Sequence, residues 1–193
     1  KFADMDITIG PVDEGKEGLQ FENKVVGGRI PKEFIPAIEK GFKGSMENGV
    51  LAGYPMDSMK VIVHDGSFHP VDSDANSFEL CARSAYRSAC HSAKPSILEP
   101  IMKLEVVTPD EYTGEIVGDL NRRRGQLEGM EYKGLDQVVR ANVPLAQMFG
   151  YVTQLRTMSS GRAYSSMEFS HYDIVPNSIE EEIISKAKGK VNV

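Results

Sequence analysis

The stretch Asp65-Gly66-Ser67-Phe68-His69-Pro70-Val71-Asp72-Ser73-Asp74 gathers an imidazole, an aromatic ring and three carboxylates within ten residues. It lies between a strand-like run and a helix-like run, and such loops commonly carry function because regular elements fix their ends. His69 with Asp72 has the composition of an acid–base pair. No serine or cysteine nucleophile with a supporting motif accompanies it. The competing structural reading is a turn histidine, with Asp72 or Asp74 capping the helix that follows. A third reading is recognition: an exposed Phe68 and His69 at the end of a rigid protrusion can stack on bases or donate to phosphates.

Other chemistry finds less support. No G-x-x-x-x-G-K-[ST] run is present to wrap and reach a phosphate, and no G-x-G-x-x-G follows a strand. The metal-ligand candidates are His64, His69, His91, Cys81 and Cys90, but no C-x-x-C or H-x-x-x-H places two ligands on one surface. Cys81 and Cys90 lie nine positions apart on one expected helix, too far to bridge. They read as reduced, helix-packing thiols of a cytosolic protein. Arg122-Arg123-Arg124 closes another expected helix. One or two arginines would complement the negative helix end. Three followed by Gly125 also fit a phosphate-contacting patch, and both readings stay open. His171 and Tyr172 read as structural residues just after the last strand.

The elements that must position these residues follow from periodicity. Residues 2–9 and 19–26 alternate as strands around a Gly10-Pro11 break. Pro31 suits a first helical turn, and Phe34, Ile35, Ile38 and Phe42 make one helical face that ends near Asn48-Gly49. Residues 57–64 form a third strand, then the 65–74 loop, then an alanine-rich helix over 75–92 with Phe78, Ala82, Ala85 and Ala89 in its stripe. Ala93-Lys94-Pro95-Ser96 breaks the composition and marks a domain boundary. Beyond it come a strand (101–107), a helix (109–124) with Tyr112, Ile116 and Leu120 inward, and strands at 126–133 and 136–143. A helix from Pro144 carries Leu145, Met148, Phe149, Val152 and Leu155, and a strand spans 163–169. That order is βαββαβ, the ferredoxin-like plan. The tail from Ser178 reads as an acidic-then-basic, frayed helix. The class is α+β in two domains, 1–94 and 95–193.

The 193 residues are 40% hydrophobic and 26% charged, ordinary for a folded soluble chain. No apolar run reaches the ~18 residues of a membrane span. The net charge of −6 argues against nucleic-acid binding over the whole surface and leaves room for local basic patches. The first residue is Lys and the chain opens directly on a strand, which suggests a piece of a longer protein.

Longer motifs carry a specific resemblance. Gly-Ser-Phe-His-Pro-Val-Asp-Ser (66–73), Ala-Lys-Pro-Ser-Ile-Leu-Glu-Pro-Ile-Met-Lys-Leu-Glu-Val (93–106), Gly-Asp-Leu-Asn-Arg-Arg-Arg-Gly (118–125), Val-Pro-Leu-Ala-Gln-Met-Phe-Gly-Tyr-Val-Thr-Gln-Leu-Arg (143–156) and Gly-Arg-Ala-Tyr-Ser-Ser-Met-Glu-Phe (161–169) resemble the C-terminal part of bacterial translation elongation factor G. The resemblance covers essentially the whole chain. It implies domains IV and V: a ribosomal-protein-S5-like α/β domain with a left-handed crossover, then a ferredoxin-like domain. It implies that His69 is the tip histidine, sharing its loop with Asp65, Gly66, Ser67 and Phe68. In the family this tip enters the decoding region and promotes movement of tRNA and mRNA. The second domain contacts ribosomal RNA near the stalk base, with Arg122, Arg123 and Arg124 as candidates. The implied partner is the ribosome, and the implied setting is a cytoplasmic monomer without membrane contact. GTP and magnesium belong to the family's G domain, outside this stretch, so no cofactor and no GTP hydrolysis are expected here. The family's first domain IV strand, with a glycine-rich second tip loop, should precede residue 1. Pro70 and Asp74-Ala75-Asn76 depart from the family pattern. Two alternatives share parts of this reading: a tetracycline-type ribosomal protection protein, and an acid–base enzyme using His69 and Asp72.

Overall fold

The computed structural model describes residues 1–189. By contact the described residues form two compact units, Lys1–Ser96 with 178–189, and Ile97–Asn177.

The first unit contains β1 (Asp4–Gly10), β2 (Gly18–Asn23), α1 (Ile35–Ser45), β3 (Ser58–Ser67) and α2 (Ala75–Ser92). Its three strands are ordered β1-β3-β2, with β1 antiparallel and β2 parallel to β3. Parallel neighbours require a crossover, and α1 supplies it. Met59, Val61 and Val63 alternate on β3 and are buried against Ile38, Phe42, Phe78, Ala82 and Tyr86 of the two helices. The period of 2 on the strand and of 3–4 on the helices makes these faces meet. Phe34, in a short 3-10 turn (Lys32–Phe34) before α1, stacks on Phe78 with ring centroids 5.2 Å apart. Gly41 allows α1 to approach α2: a Cβ there would sit 2.7 Å from the Glu79 carbonyl oxygen and 2.8 Å from the Ala82 Cβ.

The second unit contains β4 (Leu98–Pro109), α3 (Thr113–Arg122), β5 (Gln126–Lys133), β6 (Asp136–Pro144), α4 (Tyr151–Met158) and β7 (Tyr164–Ile174). The sheet is ordered β5-β6-β4-β7, antiparallel throughout. This is the ferredoxin-like arrangement anticipated from the order of elements. Leu104, Val106, Val139, Ala141 and Val143 of the sheet pack on Ile116, Leu120, Tyr151 and Leu155. A last helix, α5, spans Asn177–Gly189 and from Ser178 groups by contact with the first unit.

Three local expectations need correction. β3 runs on through Ser67, because Asp65, Gly66 and Ser67 pair with Asp6, Met5 and Asp4 of β1; they are strand residues, and Gly66 is buried. The helix expected from Pro144 is interrupted. A 3-10 turn (Leu145–Gln147) is followed by Gly150 at φ 74°, and α4 starts at Tyr151. That break resets the helical phase, so Tyr151, Leu155 and Met158 face the core while Phe149 and Val152 are exposed. Finally, β7 extends to Ile174, so His171 and Tyr172 lie inside the strand. The Tyr172 ring contacts that of Phe169 at 5.2 Å.

Candidate functional site

The tip of the first unit is built by β3, by the loop 68–73 and by the start of α2. Asp74 ends the loop as the N-cap of α2: its Oδ1 accepts from the Ser77 N–H at 2.7 Å and from the Ser77 hydroxyl at 2.6 Å. Those bonds satisfy donors that the first helical turn would leave open. The Asp74 carboxyl also pairs with Lys1, and together these partners hold it well below the usual carboxylate range. Ser73 staples the loop shut. Its hydroxyl accepts from the His69 N–H at 2.8 Å and donates to the Phe2 carbonyl at 2.7 Å, while its own N–H donates to the His69 carbonyl at 3.0 Å. Phe2 returns an N–H to the Asp72 carbonyl at 2.9 Å.

Inside this frame the His69 ring is oriented by backbone. Its Nδ1 accepts from the N–H groups of Val71 and Asp72, each at 3.3 Å, and lies 3.4 Å from Asp72 Oδ2. An Nδ1 that accepts leaves Nε2 as the protonated nitrogen of the neutral ring. No hydrogen bond among the described residues engages Nε2, and the side chain is largely exposed. The His69 and Asp72 side chains are 55% and 58% exposed. With Phe2, Ser67 and Phe68 they line a shallow hollow of about 230 Å³. Such an open surface does not enclose a substrate away from water. Phe68 is exposed at the same rim.

Asp65 and Gly66 support the tip from below. Asp65 pairs with Arg29, and a backbone hydrogen bond at Gly66 followed by that guanidinium pulls its carboxyl below the ordinary range. Gly66 has no room for a side chain: a Cβ would meet the Asp4 carbonyl oxygen at 2.3 Å and Ile30 Cδ1 at 2.6 Å. Ser67 donates to Asp4 Oδ2 at 3.1 Å. Of the five tip residues named from the sequence, Phe68 and His69 therefore face solvent, while Asp65, Gly66 and Ser67 brace the strand end. Ser73, which locks the loop, lay inside a recognised motif, but nothing in its type marked that role.

The arginine triplet is not brought together as one patch. Arg123 Nε donates to Asp119 at 2.9 Å, its Nη1 donates to the Gln147 carbonyl at 2.6 Å, and its guanidinium lies 5.1 Å from the Tyr151 ring centroid. Arg124, at φ 59°, reaches back to Glu99 with two hydrogen bonds of 2.8 and 2.9 Å. Both are spent on joining α3 to its neighbours. Arg122 is 71% exposed and only loosely paired with Asp119 at 3.7 Å. Among the described residues no group of three His, Cys, Asp or Glu side chains could hold a metal ion, and no helix is long and apolar enough to cross a membrane.

The family models for elongation factor G, domain IV and for the elongation factor G C-terminus match residues 1–94 and 96–183. The chain belongs to the elongation factor G family. It is 58% identical over 189 residues to elongation factor G of Cytophaga hutchinsonii and 56% identical over 192 residues to that of Amoebophilus asiaticus. These alignments cover 98% and 100% of this chain but 27% of each relative. A crystal structure from Thermus thermophilus superposes with a TM-score of 0.78 at 34% identity, over 98% of this chain and 31% of that one.

Proposed function

We propose that this chain is the ribosome-directed part of a translocation factor, working as a mechanical wedge in protein synthesis rather than as a catalyst of bond chemistry. The carrying observation is His69: its Nδ1 accepts from loop N–H groups, which leaves Nε2–H as a donor unengaged among the described residues on a braced, exposed tip. Such a donor, flanked by the exposed Phe68 ring, suits phosphates and unstacked bases of RNA in the decoding region. It acts by holding tRNA–mRNA after movement, which needs position and stiffness and no proton transfer. In the second unit Arg122 is the arginine available for ribosomal RNA, and Arg123 and Arg124 keep α3 in place beneath it. GTP and magnesium are assigned to the parent factor outside this stretch, which itself hydrolyses nothing. The setting is the cytoplasm and the working form a monomer.

The test is translocation by a full-length factor carrying this region. His69→Ala is expected to slow single-round tRNA–mRNA movement by at least tenfold while leaving GTP hydrolysis near wild type. An unchanged translocation rate removes the assigned role. An acid–base reading of His69 and Asp72 is disfavoured by their open hollow, and the match of both family models to elongation factor G, with relatives of that name 56–58% identical, favours translocation over antibiotic release.

A further inference from the structure

We propose that the hollow between α1 and α2 in the first unit is a second RNA contact, one that binds the phosphodiester backbone. The hollow measures about 340 Å³ and is lined by Ser45, Asn48, Arg83, Tyr86, Arg87 and His91, with glycine backbone from the end of α1. Among the described residues no carboxylate lines it, in a chain holding 28 acidic and 22 basic residues. Arg83, Arg87 and His91 recur every fourth position on α2 and so present one stripe, about 6 Å apart along the axis. That step is comparable with the advance between neighbouring phosphates on one strand.

The hollow is built for the guanidinium it holds. Arg83 lies against Gly44, where a Cβ would approach its Nη2 to 2.9 Å, so a side chain there would push the guanidinium aside. Arg83 Nη2 also donates to Glu79 Oε1 at 3.1 Å, which fixes the side chain and leaves its remaining donors toward the hollow. The Tyr86 hydroxyl donates to the Asn48 carbonyl at 3.3 Å and pins the floor. Arg87 and His91 make no ion pair among the described residues. A planar, fixed guanidinium beside a free one is suited to phosphate oxygens. The choice of RNA as the polyanion rests on the function proposed above.

The experiment titrates the 193-residue chain with a blunt RNA duplex of about 16 base pairs, and separately with purified ribosomes, over a salt series. Arg83→Gln/Arg87→Gln is expected to weaken duplex binding at low salt at least tenfold. It should also reduce the slope of log affinity against log salt by about two, one per lost phosphate contact. Arg87→Gln alone, at an exposed position with no partner to lose, should reduce the slope by about one, and Arg87→Lys should keep it. Wild-type affinity and slope in both glutamine variants overturn the site, as does failure of the wild-type chain to bind the duplex. An equal loss of poly-glutamate binding would reassign the hollow to acidic protein and overturn the RNA assignment. Ribosome binding that survives in the cleft variants and falls in His69→Ala would leave the tip proposal standing without this one. Duplex binding that depends on the cleft, with no ribosome binding, would do the reverse.

Discussion

Gly66 shows how much of the tip depends on single atoms. Its neighbour at 2.3 Å from a would-be Cβ is a backbone carbonyl on the paired strand, which cannot swing away as a side chain could. Gly66→Ala should cost about 1–3 kcal/mol, the range for overpacking, and shift the amide resonances of Asp4 and Met5; urea unfolding and an NMR spectrum check both. Tyr151 offers a second case. Burial, then the Asp119 carboxylate, pushes its phenol up to about 12, against a partial offset from Arg123. The folded chain keeps a proton that the unfolded chain releases near 10. The resulting stability is complete below about pH 10 and is lost as pH rises toward 12. Tyr151→Phe should therefore unfold less readily than wild type across that window. At neutral pH it should match or exceed wild type by up to about 1 kcal/mol, because the buried hydroxyl lacks a partner among the described residues. Urea midpoints at pH 7 and at several alkaline pH values would decide it.

Between elements, the informative contacts are those that tie one helix to something distant in sequence. Phe78 of α2 is fully buried and stacks on Phe34 before α1, so Phe78→Ala should cost the first unit about 3–5 kcal/mol. In the second unit the Arg124–Glu99 pair ties the end of α3 to the start of β4. Glu99 is 8% exposed. Removing Arg124 strands a mostly buried carboxylate, a change that costs about 3–5 kcal/mol when a buried pair loses one member. Arg124→Ala should fall near the lower figure, since the guanidinium is partly exposed, and adding Glu99→Gln should restore part of the loss. Chemical denaturation of the single and double variants measures the coupling.

Taken over all 193 residues the charge is −6, yet the proposed partner is a polyanion. The apparent conflict dissolves because recognition is local. Carboxylates lie beside His69, Arg83 and Arg122 (Asp72, Glu79 and Asp119), while Arg87 makes no ion pair among the described residues. Association of the chain with ribosomes should still weaken as salt rises. For about three cationic contacts a log–log slope of roughly −2 to −3 is expected. A salt-independent affinity would mean that phosphates play no part.

Periodicity alone was enough to order strands and helices, because a strand repeats every two residues and a helix every 3.6, and cores must form where those faces are apolar. The βαββαβ order and the alternation of Met59, Val61 and Val63 were legible for that reason. The long motifs likewise announced the family. Side-chain commitments were not legible: Arg122, Arg123 and Arg124 are identical in type, and it is the distant partners Gln147 and Glu99 that engage Arg123 and Arg124 while Arg122 keeps only a loose pair with Asp119 on its own helix. The same holds for Phe149 and Val152, which fit a helical stripe until Gly150 adopts a left-handed turn and resets the phase. The closure of the His69 loop onto Phe2 and the basic hollow between α1 and α2 also depend on contacts across the fold. Local sequence encodes repeat and propensity, whereas exposure and pairing belong to residues that meet only after the chain has closed.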